Sequence, residues 1–283
     1  MIVTITVNPS LDRTVELASA LERGEVQRAA AAHQEPGGKG INVTRALVAA
    51  GLATVAVFPG AESDPMVTAM RASRLPFDNV PITGAVRSNV TLTEPDGTTT
   101  KINEPGPALS EHELDELTER VVRAAEGAAW LVISGSLPPS IDQGYYVRLV
   151  ERVSSLATPP RIAVDSSGEP LRRLLQSGLG VDLIKPNAEE LAELTGTGSG
   201  EAFEQHPDQA ASAAELLLDR GVGAALVTLG SRGAALVTRD ATWFADAPAI
   251  EARSTGGGGD SSLAGYLLAD AAGLESDDCL AQA

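Results

Sequence analysis

The feature that most constrains this chain is an alternation of short β-forming runs with segments of helical period. Residues 1–7, 54–58, 130–133, 161–164, 183–184 and 225–229 are rich in Val, Ile, Leu, Thr and Ala and read as strands. Between them, residues 42–50, 111–125, 145–156, 188–194 and 209–220 carry apolar side chains at helical spacing. A strand followed by a helix-length crossover returns to the same edge, so its successor runs parallel to it. The pattern predicts an α/β chain with a doubly wound, mostly parallel sheet and helices on both faces. In such sheets ligands gather beyond the carboxyl ends of the strands. Ser134-Gly135-Ser136, Asp165-Ser166-Ser167-Gly168 and Lys185-Pro186-Asn187 all fall there.

Two stretches, 12–34 and 85–103, break the alternation. In the second, β-formers flank the turn Pro95-Asp96-Gly97, a hairpin signal. Both are expected to form a small β-layer beside one main domain spanning 1–283. The net charge of −17 argues against nucleic acid or an anionic membrane surface as partner, and any anionic substrate needs local basic residues. The single cysteine, Cys279, excludes an intramolecular disulfide and fits a reducing, cytoplasmic setting. His33, His112 and His206 lie too far apart in sequence to suggest a zinc site. No run reaches the roughly 18 apolar residues of a membrane span, and residues 1–7 do not read as a secretory signal.

Two glycine clusters carry the chemistry. Gly256-Gly257-Gly258-Gly259-Asp260-Ser261 precedes the apolar run 262–268. It reads as a loop whose bare N–H groups meet a helix N-terminus, with Asp260 and Ser261 at the helix start, a cradle for an anion. A carboxylate beside such a cradle suits proton abstraction from an attacking hydroxyl, so the local chemistry is phosphoryl transfer to an alcohol. A plain linker before a capped helix would use the same residues. Near the front, Gly37-Gly38-Lys39-Gly40-Ile41-Asn42 lets a ligand approach the backbone but is not a Walker A sequence.

Taken together, these clusters resemble the two signatures of the ribokinase-like, or PfkB-type, sugar kinases. The resemblance continues in Asn8-Pro9-Ser10-Leu11-Asp12, Ser134 to Pro139, Asp165 to Glu169, Lys185 to Leu191 and Thr228 to Ala234, in the family's order along the chain. Within the family the chain is most similar to the kinases of ketohexose phosphates.

The resemblance implies a ribokinase-like fold with a small β-sheet lid, and ATP-dependent phosphorylation, assisted by Mg2+, of a ketohexose phosphate. Fructose 1-phosphate going to fructose 1,6-bisphosphate is the first expectation, with tagatose 6-phosphate or fructose 6-phosphate as alternatives. It assigns Asp260 as general base and the amides of Gly257, Gly258 and Gly259 as an anion hole. Asp12, Gly37, Gly38 and Asn42 would hold the sugar; Lys39, Arg87 and Lys101, with Arg28 and Ser136, would meet its phosphate. Lys185, Asn187, Thr228, Gly230 and Gly233 would bind the nucleotide, and Glu190 with Asn187 would order magnesium. An N-cap Asn with an acidic first turn explains Asn187 and Glu190 equally well. A homodimer through the lid is also implied. The chain departs from the family at Gly256 and Gly258, which stand where Val and Ala are usual, and it stops at Ala283, where relatives continue through further helices. Those departures leave a catalytically weak sugar-phosphate- or nucleotide-binding protein as the alternative of a different class.

Overall fold

The chain enters through a wholly buried strand, β1 (Ile2–Thr6), and leaves the main sheet for β2 (Ser10–Leu17) and β3 (Ala29–Gly37). It returns through α1 (Lys39–Ala49) to β4 (Thr54–Pro59), then through α2 (Pro65–Ala72) to β5 (Phe77–Val80). A second excursion forms β6 (Arg87–Thr93) and β7 (Thr99–Asn103). Strict alternation follows: α3 (Glu111–Ala125), β8 (Trp130–Ser134), α4 (Tyr145–Ser154), β9 (Arg161–Asp165), α5 (Gly168–Gln176) and β10 (Val181–Ile184). Three helices, α6 (Ala188–Thr195), α7 (Gly200–Gln205) and α8 (Pro207–Leu218), lead to β11 (Val222–Thr228). A 3-10 turn, Gly230–Arg232, joins it to β12 (Ala234–Thr238) and β13 (Thr242–Ala245), and α9 (Gly258–Ala271) and α10 (Ser276–Gln282) follow. This computed structural model describes residues 1–247 and 257–283. Ser254, Thr255 and Gly256 of the second glycine cluster lie outside the described residues.

The main sheet has nine strands in the order β13-β12-β11-β10-β9-β8-β1-β4-β5. All pairings from β11 through to β5 are parallel, and β12 and β13 add an antiparallel edge. The alternation of β1 shows why both faces are covered. Val3 and Ile5 join one cluster with Leu117 of α3 and Leu149 of α4, while Ile2 joins the other with Leu47 of α1 and Leu263 of α9. Thr4 faces α1, where its hydroxyl pairs with that of Thr44 at 2.8 Å, so a polar pair in the core is satisfied. Among the described residues no helix is long and apolar enough to cross a membrane.

The small sheet has the order β3-β2-β6-β7, with β2 and β6 parallel and the outer pairs antiparallel. It covers the two expected segments but differs at their edges. The first begins at Ser10 and ends at Gly37, and the stretch between Leu17 and Ala29 is not strand. The alternation of residues around Asp96-Gly97 forms the β6–β7 hairpin as expected.

Helix α9 corrects the expectation at the second glycine cluster. It starts at Gly258, with Gly257 as its N-cap, so two glycines lie inside its first turn and Asp260 is its third residue. The first N–H groups of a helix lack intrahelical partners in any case, so glycine weakens the first turn less than the interior. Gly257 has φ of +85°, a conformation costly for any residue with a Cβ.

Candidate active site

Strand order reverses between β1 and β8, and a cavity of about 460 Å3 lies beyond the carboxyl ends of the strands near that point. The small sheet provides one wall through Asp12, Asn89 and Lys101; the start of α1 provides Lys39 and Asn42; Lys185, Asn187 and Thr228 follow strands β10 and β11 or end them; and α9 provides Gly257, Gly259 and Asp260. Fold topology thus brings together residues as far apart in sequence as Asp12 and Asp260.

Asp260 is 7% exposed and accepts a hydrogen bond on Oδ2 from Asn42 Nδ2 at 2.8 Å. Asn42 is in turn held by Arg45, which donates to Asn42 Oδ1 at 3.3 Å and also reaches the carbonyl of Pro36. Burial pushes the Asp260 carboxyl above its ordinary value; the Asn42 bond opposes this, Asp165 adds to it, and Lys39 and Lys185 oppose it. A carboxylate held up in this way is a better proton acceptor than one in water. The first intrahelical bond of α9 runs from Ser261 N to Gly257 O at 2.9 Å. The N–H groups of Gly258, Gly259 and Asp260 therefore have no partner inside the helix and add their dipoles to its positive end.

Behind the cavity sits a charged cluster centred on Asp165, the last residue of β9, which is fully buried. Lys39 Nζ lies 2.7 Å from its Oδ1, and Lys185 Nζ lies 3.3 Å from its Oδ2. The second contact is an ion pair without hydrogen-bond alignment, because Oδ2 has no hydrogen-bond partner among the described residues. Lys39 Nζ is also 3.8 Å from Glu190 Oε1. Burial draws the Lys39 ammonium down, but Asp165 and Glu190 more than offset this and hold it above its ordinary value. Asp165 was not singled out as a site residue from sequence. The signal available was its position, a lone acid ending an apolar strand before Ser166-Ser167-Gly168.

At the wall formed by the small sheet, Asp12 Oδ1 accepts from Ser10 Oγ at 2.7 Å and Asn89 Nδ2 at 3.0 Å, which leaves Oδ2 for a ligand. Gly37 is needed beside it, since a Cβ there would run into the Asp12 carboxylate. Arg87 is less free than expected. It donates to the carbonyls of Asn8 at 3.1 Å, Pro9 at 3.4 Å and Glu104 at 3.1 Å, so part of its fork braces the loops under the small sheet. Burial lowers its pKa, against the pull of Asp12 and Glu104. Lys101 faces the cavity from β7, paired in register with Thr91.

Several expected residues take other places. Lys39 was expected at the substrate phosphate, and the structure ties it to Asp165 and Glu190. Asn187 and Glu190 form a reciprocal capping box on α6: Asn187 Oδ1 accepts from Glu190 N at 2.8 Å and Glu190 Oε2 accepts from Asn187 N at 2.9 Å. The cap occupies the side-chain carbonyl of Asn187 and leaves Glu190 Oε1, which lies 3.8 Å from Lys39 Nζ. Ser136 is exposed, accepts from Asn8 Nδ2 at 3.4 Å and does not line the cavity. Gly230 and Gly233 shape the turn between β11 and β12 with φ of +58° and +98°, and neither lines the cavity. Arg28 is exposed and outside it. Asn89 and Asn103 line it and were not assigned a role from sequence.

A larger depression of about 850 Å3 lies at the opposite, amino ends of β10 and β11. Two of its three arginines are occupied by helix ends, Arg220 donating to the carbonyl of Leu194 at 2.9 Å and Arg239 to that of Leu218 at 2.8 Å, and the third, Arg172, pairs with Glu169. It lacks the convergent acids and bare amides of the first cavity.

The fold agrees with what the chain is similar to. The family description "pfkB family carbohydrate kinase" matches residues 6–283. The 1-phosphofructokinase of Haloferax volcanii is 35% identical over 282 residues, covering 99% of this chain and 87% of that protein. The ATP-dependent 6-phosphofructokinase isozyme 2 of Mycobacterium tuberculosis is 33% identical over 273 residues, covering 94% and 77%. The crystal structure of phosphofructokinase-2 from Escherichia coli in complex with substrates and products superposes with a TM-score of 0.89 at 31% identity, covering 99% of this chain and 89% of that one. The chain belongs to the pfkB family of carbohydrate kinases, phosphotransferases with an alcohol acceptor.

Proposed function

We propose that this pfkB-family kinase transfers the γ-phosphoryl group of ATP to a primary hydroxyl of a ketohexose phosphate, with fructose 1-phosphate as substrate and fructose 1,6-bisphosphate as product. The observation that carries this reading is the meeting, in one cavity, of a buried carboxylate at a helix N-terminus, Asp260, with the diol-binding acid Asp12 and the cations Arg87 and Lys101. Asp12 Oδ2 and Asn89 suit adjacent sugar hydroxyls, and Arg87 and Lys101 suit the phosphate already on the sugar. The hydroxyl at the far end of the sugar then meets Asp260. As its oxygen bonds to the γ-phosphorus, its proton passes to the Asp260 carboxylate, and the bond to the bridging oxygen breaks to release ADP. The amides of Gly257, Gly258 and Gly259 donate to the transferring group's oxygens as charge builds there.

Lys185, Asn187 and Thr228 lie where the triphosphate would run, and Gly230 and Gly233 would act only by shaping the adjoining turn. The donor set suits magnesium: Asp165 Oδ2 is buried without a hydrogen-bond partner, Glu190 Oε1 is left over from its cap, and both are hard oxygens. Among the described residues no group of three or more His, Cys, Asp or Glu could hold a metal alone, which fits an ion shared with phosphate oxygens and water. Bound there, magnesium would offset charge on the triphosphate.

The deciding experiment is ADP release measured with fructose 1-phosphate, fructose 6-phosphate and tagatose 6-phosphate. The highest kcat/KM is expected for fructose 1-phosphate. Thermal stabilisation by these ligands without ADP formation would overturn the kinase assignment in favour of a binding protein. The outer face of the small sheet also bears on assembly. Val15, Val90, Leu92 and Ile102 alternate with the cavity-facing residues, and Ile102 is 56% exposed. Covering this face with that of a second copy would give a homodimer closed over both sites. Light scattering is expected to give a dimer mass, reduced by Ile102→Asp; a monomer mass at working concentration would refute it.

A further inference from the structure

We propose that Lys39 is a displaceable stand-in cation: it occupies the divalent-metal position between Asp165 and Glu190 until the metal–triphosphate complex arrives. This rests on the proposed magnesium-dependent kinase reading and deepens it. Two carboxylates from different elements, β9 and α6, converge on one point, and the group at that point is the Lys39 ammonium, 2.7 Å from one and 3.8 Å from the other. Each offers an oxygen without a hydrogen bond, although Asp165 Oδ2 stands 3.3 Å from Lys185 Nζ as an ion pair. Glu190 spends only Oε2 on its cap, and Asp165 Oδ2 has no hydrogen-bond partner.

The two lysines of the cluster are not equivalent. The Lys185 side chain is 4% exposed and follows a central strand, so it is a fixed counter-charge for Asp165. The Lys39 side chain is 35% exposed, lines the cavity, and hangs from the first residue of α1. A cation at a helix N-terminus opposes the helix dipole, and α1 has no acid in its first turn to compensate. Lys39 is therefore not there to stabilise its own helix. Its flexible stem and compact charge let it leave the carboxylates for phosphate oxygens nearby.

A divalent cation and the ammonium repel each other and compete for the same two carboxylates. Without nucleotide the metal must expel Lys39 into water. With nucleotide, Lys39 gains a new anionic partner as the metal takes its old ones. Metal and triphosphate should then bind with positive coupling, which by linkage is the same in both directions. The device would keep the site from filling with bare metal while two buried carboxylates stay compensated.

The test measures Mn2+ binding, by electron paramagnetic resonance and calorimetry, with and without a non-hydrolysable ATP analogue. Wild type is expected to bind free Mn2+ weakly and to gain strongly with the analogue. Lys39→Met should bind free Mn2+ at least tenfold more tightly and show less gain with the analogue. Lys39→Arg should keep the weak free binding, and Lys39→Met combined with Glu190→Gln should lose the improvement. If wild type with the analogue binds Mn2+ but Lys39→Met binds free Mn2+ no more tightly than wild type, the stand-in role is overturned and the kinase reading survives. If no form binds Mn2+ even with the analogue, both fail together. Circular dichroism of each variant checks that folding is intact, and Lys39→Gln, which also removes the charge, supplies the same comparison if Lys39→Met unfolds.

Discussion

Replacing Asp260 by Asn tests the chemical core, because the swap keeps shape and removes only basicity. Asn42 Nδ2 can still donate to an oxygen at position 260, so the 2.8 Å contact and the packing of α1 on α9 survive. A positioned general base contributes roughly 10²- to 10⁴-fold to rate, about 3–5 kcal/mol of barrier. The phosphosugar and ATP should bind nearly as before, since Asp12, Arg87, Lys101 and Lys185 are untouched. The same change should raise stability. Burial, helped by Asp165, holds the folded-state pKa of Asp260 above its ordinary value, so keeping the carboxylate charged at neutral pH costs folding energy. The cost is absent at pH values below the ordinary carboxylate range and grows as pH rises through the raised folded pKa. Asp260→Asn should therefore melt higher than wild type at pH 7 and lose that advantage as pH falls toward 4. Steady-state ADP release, ligand-induced melting shifts and melting curves at the two pH values measure all three. Turnover within threefold of wild type would refute the base assignment; lost turnover with a lower melting temperature at pH 7 would refute the electrostatic reasoning.

Asp165→Asn should destabilise by about 3 kcal/mol in urea titration, because it leaves Lys185, 4% exposed, facing an uncharged group. Gly258→Ala should add about 0.5–1 kcal/mol, since Gly258 is helical and a Cβ there meets nothing within 4 Å. Gly259→Ala should instead impair turnover, because its Cβ would come 2.9 Å from Lys185 Nζ. Asn42→Ala removes a donor that favours the charged form of Asp260, so the acid limb of the kcat/KM profile should move to higher pH, whereas an unmoved limb would detach Asn42 from the base.

How far the sequence disclosed these features depended on the range of the signal. Helix α3 was legible to the residue, because Ser110 and Glu113 form a local capping box and the apolar spacing is regular. Strands β8 and β9 were legible because a parallel strand buried on both faces is a continuous apolar run. The short helices α2, α5 and α7 were missed, since six to nine residues hold too few turns to show a period. Strands β12 and β13 were missed as well, because runs of five and four residues are too short to show a period. At the site, Asp260 and Asp12 could be read from neighbours in sequence. For Asp165 the sequence showed only a position at the end of a strand; its charged partners, Lys39 and Lys185, lie 126 and 20 positions away.

The same distinction explains how so acidic a chain can hold two phosphorylated ligands. A net charge of −17 would repel them if charge acted as an average. At physiological salt, screening over roughly 8 Å confines the contest to groups within the cavity. There Lys39, Arg87, Lys101 and Lys185 face the lining acids Asp12 and Asp260, with Asp165 and Glu190 set behind Lys39. The lining is locally positive, but the two rear carboxylates hold part of that charge in reserve. Each of the four cations comes from a different element, α1, β6, β7 and the turn after β10, so no stretch of sequence looks basic. The local positive charge is produced by folding, and on the proposed role of Lys39 it would strengthen further once a ligand's metal ion released that lysine from the acids that hold it.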